Sequence, residues 1–232
     1  MKGHLLVTVS SLALISVASA ADLAPYPTKA PPPVPVVPWT WQGFYIGING
    51  GAVWHRATVN AQDAALVQNF ASGKISATGA AFGGHAGFNW QAGNVVFGIE
   101  GDGSWVDANG SGIVGSAGRW TTKLSWLATV RGRLGLTFSP TMVYVTGGFA
   151  AGGVTNNVPL LFGGYQTNHE TRTGWTVGGG VEHMVTPRWL IRAEALYVDL
   201  GDATVKGFLG SGYTARFANK AVVARGGVSL KW

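Results

Sequence analysis

The sequence predicts an all-β fold, an eight-stranded antiparallel up-and-down transmembrane β-barrel, and three observations lead there. Charges come in pairs two residues apart inside segments that are otherwise apolar: Glu100 and Asp102 between Phe97, Ile99 and Trp105, and Arg131 and Arg133 between Val130, Leu134 and Leu136. Side chains alternate across a strand, so each pair lies on one face and the aromatic and aliphatic residues on the other. The segments are ten or so residues long, are rich in glycine, and are joined by connections that alternate between tight turns and long stretches. The apolar faces carry Trp at their ends, so the charges are expected to line an interior. That polarity is inside out for a soluble sheet and predicts a barrel in a bacterial outer membrane.

The N-terminus reads as an export signal over residues 1–20. Lys2 precedes an apolar run from Leu5 to Val17, and Ala18-Ser19-Ala20 supplies the small residues that signal peptidase needs, so the mature chain is expected to begin at Ala21. The run is shorter than the roughly 20 residues of a bilayer-spanning helix. Residues 21–38 contain Pro25-Tyr26-Pro27 and Pro31-Pro32-Pro33-Val34-Pro35, which predict an extended polyproline II spacer in the periplasm. The barrel is assigned to residues 39–232.

Strands are expected to begin near Gly43, Ala80, Val95, Lys123, Met142, Thr173, Trp189 and Asn219. Ala92-Gly93-Asn94, Ser139-Pro140-Thr141 and Thr186-Pro187-Arg188 read as tight turns, and the stretches around 55–78, 107–121, 155–172 and 201–218 as long outer loops. Short periplasmic turns and long outer loops are the rule for such barrels, which places both termini in the periplasm.

Alternation assigns faces. Phe82, Gly84, Ala86, Phe88 and Trp90 face lipid, while Gly83, His85, Gly87, Asn89 and Gln91 face inward. Trp175, Val177, Gly179 and Val181 face out, with Thr176 and Glu182 inside. The lumen then collects the acids Glu100, Asp102, Glu182 and Glu194 and the bases Arg131, Arg133, Arg192 and Arg225. An eight-stranded bore is only wide enough for side chains to fill, and buried charges must be paired, so a salt-bridge network that plugs the lumen is expected. Glu100 or Asp102 on the third strand is the expected mate of Arg131 or Arg133 on the fourth. The closing strand places Val228, Leu230 and the terminal Trp232 on one face, a pattern that the barrel assembly machinery reads by strand addition, although Phe is the commoner last residue.

Composition excludes several classes. The chain has 232 residues, no Cys, 36 Gly and 11% charged residues, so thiol chemistry, disulfides and a cysteine-linked lipid anchor are ruled out. A formal charge of +6 comes from scattered bases without a nucleic-acid footprint. No metal-ligand spacing, cofactor motif or catalytic constellation is recognisable; His85 and His183 fall on opposite faces, and His55 and His169 are placed in or beside outer loops.

The stretches Gly43-Phe44-Tyr45-Ile46-Gly47, Phe97-Gly98-Ile99-Glu100-Gly101-Asp102, Thr129-Val130-Arg131-Gly132-Arg133-Leu134-Gly135, Tyr144-Val145-Thr146-Gly147-Gly148, Gly174-Trp175-Thr176-Val177-Gly178 and Tyr197-Val198-Asp199-Leu200-Gly201 resemble the small porin-family outer-membrane proteins of alphaproteobacteria, the outer-membrane immunogenic proteins. The resemblance covers essentially the whole mature chain. It implies an eight-stranded barrel of the opacity and OmpA type with roles in envelope integrity and surface interaction. The expected partners are outer-membrane lipid and lipopolysaccharide, the assembly machinery, and a surface ligand at the outer loops. Residues singled out there are Phe70, Lys74, Arg119, Trp120, Tyr165, His169, Phe208 and Tyr213. A narrow channel for ions or small solutes is the alternative reading, and a barrel enzyme at the outer leaflet a more distant one.

Overall fold

In the computed structural model the described residues are 39–63, 68–114, 119–159, 165–206 and 213–232; the expected signal and spacer segments lie outside them. Eight strands follow in chain order: β1 (Gly43–Asp63), β2 (Gln68–Ala92), β3 (Val95–Ile113), β4 (Arg119–Phe138), β5 (Thr141–Pro159), β6 (Tyr165–Met184), β7 (Trp189–Lys206) and β8 (Tyr213–Lys231). Each pairs antiparallel with its chain neighbours, and β1 closes on β8 in unbroken register from Tyr45 opposite Lys231 to Asp63 opposite Tyr213. From the turn end up to Trp175 opposite Asp199, where the β6–β7 pairing stops, closure leaves no unpaired edge, which is what lets a sheet stand in hydrocarbon.

Tight turns join β2 to β3, β4 to β5 and β6 to β7, all at one end of the barrel, with Gly93 taking a positive φ of 60° in the first. Just beyond this turn end, Phe44, Trp90, Phe97, Phe138 and Trp189 project outward. Phe44 packs edge-on to Phe88 at 4.5 Å, and Trp90 stacks on Phe97 at 5.6 Å. Further along, Trp54, Phe82, Trp105, Trp126, Phe149 and Trp175 form a second outward girdle, with Trp105 opposite Trp126 and Phe149 opposite Trp175. Between the girdles the exterior is aliphatic and exposed, as at Ile48, Ile99, Val130 and Val145. A continuous exposed apolar belt of this kind is a surface built for lipid.

The strands do not stop at the second girdle. The expected long loops are mostly strand: β2 begins at Gln68 rather than near Ala80, β4 at Arg119 rather than Lys123, β6 at Tyr165 rather than Thr173, and β8 at Tyr213 rather than Asn219. In this far half the polarity reverses. Val53, Ala77, Val106, Leu124, Leu127, Val154, Leu196 and Val223 pack inside, capped by Ala57, Val59, Ile75, Trp120 and Phe217. Arg56, Ser76, Thr78, Asp107, Asn109, Lys123 and Lys220 face out. Above the girdle the wall therefore has a polar, water-facing outside and an apolar core.

The loop-residue expectations change accordingly. Trp120 is fully buried and meets Phe217 with ring centroids 5.7 Å apart, so it is core and not a surface anchor. His55 lies on β1 facing inward and is buried. His169 lies on β6, hydrogen-bonded to the Thr155 hydroxyl at 2.9 Å. Lys74 and Arg119 are exposed but sit on strands. Phe70, Tyr165 and Tyr213 belong to β2, β6 and β8, and Phe208 lies outside the described residues.

Candidate functional site

The membrane-level lumen holds the charges. Glu100 and Asp102 enter from β3, Arg131 and Arg133 from β4, Glu182 from β6, Arg192 and Glu194 from β7, and Arg225 from β8; all eight are buried. They form one connected array. Arg131 lies in register with Glu100 and bridges it at 2.5 Å, Asp102 at 3.0 Å and Glu194 at 3.1 Å. Arg225 joins Asp102 at 2.8 Å and Glu194 at 2.7 Å. Arg133 reaches Glu182 at 2.9 Å and Glu100 at 3.4 Å. Arg192 donates from Nε to Glu182 at 3.0 Å and from Nη1 to Glu100 at 3.1 Å. Every carboxylate thus meets at least two guanidinium groups, and the formal charges cancel. Burial of so many ions is tolerable because every carboxylate is met by guanidinium groups, although the Nε atoms of Arg131 and Arg133 have no hydrogen-bond partner.

The network includes residues that charge pattern alone does not reveal. The Tyr45 hydroxyl donates to Glu100 at 2.8 Å while accepting from Arg133 at 2.9 Å, and the Tyr144 hydroxyl donates to Glu194 at 2.8 Å. The Arg133 guanidinium also lies 4.2 Å above the Tyr144 ring. Thr129 donates to Asp102. Tyr45 and Tyr144 alternate with lipid-facing Phe44, Ile46, Val143 and Val145, so parity was the signal that could have found them. Inward glycines leave the necessary room. A Cβ on Gly180 would stand 2.8 Å from the Tyr144 hydroxyl oxygen, and one on Gly227 would stand 3.2 Å from Arg192 Cγ.

Above and below, the bore is filled by other means. His85 lies between Ser229, at 2.8 Å from Nε2, and Asn49, at 3.2 Å from Nδ1, in a neutral polar cluster. At the turn end Trp41, just before β1, is 1% exposed and packs with Val96, Met142, Tyr144, Met184 and Leu190; its backbone N–H donates to Gln91 Oε1 at 2.7 Å. Sequence pattern offered no signal for Trp41, because it precedes the alternating segment. Val228 and Trp232 face outward on the closing strand and Leu230 is half-buried; the Trp232 N–H donates to the Phe44 carbonyl at 2.9 Å. Among the described residues no group of His, Asp and Glu is arranged to hold a metal ion.

An exposed apolar belt between aromatic girdles, closed around a charge-filled interior, defines a transmembrane β-barrel protein. The outer membrane protein beta-barrel domain matches residues 10–219, and the chain belongs to that family. It is 37% identical to a 31 kDa outer-membrane immunogenic protein of Brucella melitensis over 87% of this chain and 88% of that one. It is 35% identical to a 22 kDa outer membrane protein of Rhizobium leguminosarum over 69% of this chain and 64% of that one. Among solved structures, the outer membrane protease OmpT of Escherichia coli aligns with a TM-score of 0.50 at 9% identity, covering 85% of this chain and 99% of that one, a likeness of fold alone. The protein is an outer-membrane β-barrel.

Proposed function

We propose that this barrel is a closed structural scaffold of the outer membrane that presents a rigid, strand-built platform at the cell surface, without conducting and without catalysing a reaction. The observation that carries the reading is the filled bore: the Trp41 cluster, the eight-charge array and the apolar core of the far half follow one another along the axis. A conducting lumen needs charged groups that bind ions and release them to water. Here the charges bind each other. Surface presentation is supported by the name of the Brucella relatives, which are immunogenic outer-membrane proteins.

In this reading the tight turns face the periplasm and the long-strand end faces outward. Residues 1–20 are removed after Ala20, residues 21–38 serve as a spacer in the periplasm, and Val228, Leu230 and Trp232 are read by the assembly machinery. Recognition of a surface ligand falls to the rim of the far half.

Planar-bilayer recording on the purified, folded protein tests closure. No unitary openings are expected at moderate voltage. Reproducible ohmic channels would instead support the narrow-pore reading. Epitope tags at Gly93 and Pro140, inaccessible to antibody on intact cells in this orientation, test which end faces out.

A further inference from the structure

We infer that the outward face of β8, β1 and β2, immediately beyond Trp54, binds the phosphate groups of a glycolipid of the outer leaflet; the inference rests on the orientation proposed above. Two residues past the girdle Trp54, about 7 Å along a strand, Arg56 projects outward on β1 directly opposite Lys220 of β8 and Ser76 of β2. Lys74 follows diagonally on β2, opposite Thr58. Facing cross-strand residues have Cβ atoms roughly 5 Å apart, so these ammonium and guanidinium groups can converge on one anion.

Among the described side chains of the far half, Arg119 at the rim apart, the bases outside this patch each have a carboxylate partner. Lys123 pairs with Asp107 at 3.6 Å, Arg172 with Glu170, and Arg216 with Asp202. Lys220 shares Asp199 at 3.7 Å. Among the described residues Arg56 and Lys74 have no carboxylate within salt-bridge distance.

A cleft of about 360 Å³ lies at this level, lined by Trp54, Arg56, Ser76, Thr78, Tyr197 and Lys220. It supplies cations, hydroxyl donors and two amphipathic rings of the kind that sit at the headgroup level of a bilayer. Lower on the lipid-facing side of β1, β2 and β3, a second cleft of about 640 Å³ is bounded by Ile46, Ile48, Gly84, Ala86, Gly101 and Gly103. Its small residues leave a depression in the apolar belt where hydrocarbon chains fit. Cations at the girdle above an apolar hollow match a molecule with phosphates on a sugar head and several acyl chains. A single-chain or soluble polyanion would use the upper cleft alone.

The test is native mass spectrometry of the protein purified from membranes in mild detergent and titrated with bis-phosphorylated lipid A, with its dephosphorylated form, and with phosphatidylglycerol. Bis-phosphorylated lipid A is expected to bind, with affinity falling roughly 30-fold when its phosphates are removed or when Arg56→Gln and Lys74→Gln are combined. Arg119→Gln, at the far rim, should leave binding unchanged. Equal binding of the dephosphorylated lipid, or undiminished binding by the double variant, overturns the inference. Phosphatidylglycerol binding as tightly as lipid A overturns the assignment to a glycolipid. The phosphate-removal arm uses the unaltered protein and decides the matter even if the variant does not fold. Tag labelling fails independently if the orientation is wrong.

Discussion

The two halves of this cylinder are made from the same eight strands, and β1 keeps one register with β8 through both, yet they solve opposite problems. Along β1, odd positions point inward throughout: Tyr45 and Asn49 below the girdle, Val53, Ala57 and Val59 at and above it. Even positions point outward throughout: Phe44, Ile46, Ile48 and Trp54, then Arg56, Thr58 and Asn60. Geometry is constant while chemistry changes sides at Trp54. Below, hydrocarbon surrounds the barrel and the polar groups must satisfy one another inside. Above, water surrounds it and the apolar groups pack inside. On β1 the backbone pairing continues unchanged across the boundary and the side chains mark where the membrane ends; between β6 and β7 the ladder itself stops there, at Trp175 opposite Asp199. Register shifts cluster at that boundary, between Trp105 and Ala108, Leu124 and Trp126, and Asp199 and Asp202. In β4 the shift moves the inward series from even to odd positions, from Trp120, Thr122 and Leu124 to Leu127, Thr129 and Arg131. A β-bulge is the usual way to make such a change without breaking the sheet.

Four substitutions probe the contrast. Arg131→Ala removes the guanidinium shared by Glu100, Asp102 and Glu194 and leaves the buried array with one uncompensated negative charge; a loss of about 3–5 kcal/mol is expected in unfolding measured in lipid vesicles. Loss below 1 kcal/mol would mean that the array is not what holds the membrane half together. In the far half, Leu124→Ala opens a hole in an apolar core and should cost about 3 kcal/mol in the same assay. A negligible effect would contradict the water-facing description of that half. Val145→Lys puts a charge near the middle of the apolar belt and is expected to cost about 2–4 kcal/mol in bilayers. The same residue type at an outward position of the far half, Asn109→Lys, should change stability by less than about 0.5 kcal/mol. Equal costs for the two lysines would erase the boundary drawn at the girdle.

Much of this was legible from alternation, and the failures have one cause. The face of each residue between the girdles follows from parity, as with Phe82 and His85 or Val130 and Arg131, because lipid on one side makes the apolar signal strong. Above the girdle the strands are rich in Ala, Gly, Thr, Asn and Ser, as in Ser72-Gly73-Lys74-Ile75-Ser76-Ala77-Thr78-Gly79 of β2. That composition resembles loop, and the apolar phase has moved to the other face, so a single pattern read along the chain breaks off. Trp120 shows the consequence: by composition it stands among exposed residues, and only its contact with Phe217 on another strand identifies it as core. Within the lumen, parity puts Glu100 and Asp102 on one face of β3, and neighbouring strands suggest Arg131 as a mate. It does not say that Glu100 also meets Arg192 of β7 across the bore, or that Tyr45 lies between Glu100 and Arg133.

Local order along the chain determined the strand number, the turns at Gly93, Pro140 and Pro187, and the polarity of the membrane wall, because each depends on neighbours one or two residues away. The extent of the strands, the water-facing core of the far half, the plug at Trp41 and the partners within the charge array were decided by the closed tertiary structure. These depend on distances across the bore between residues that β1–β8 closure brings together from opposite ends of the chain, and no periodicity within a single segment records such distances.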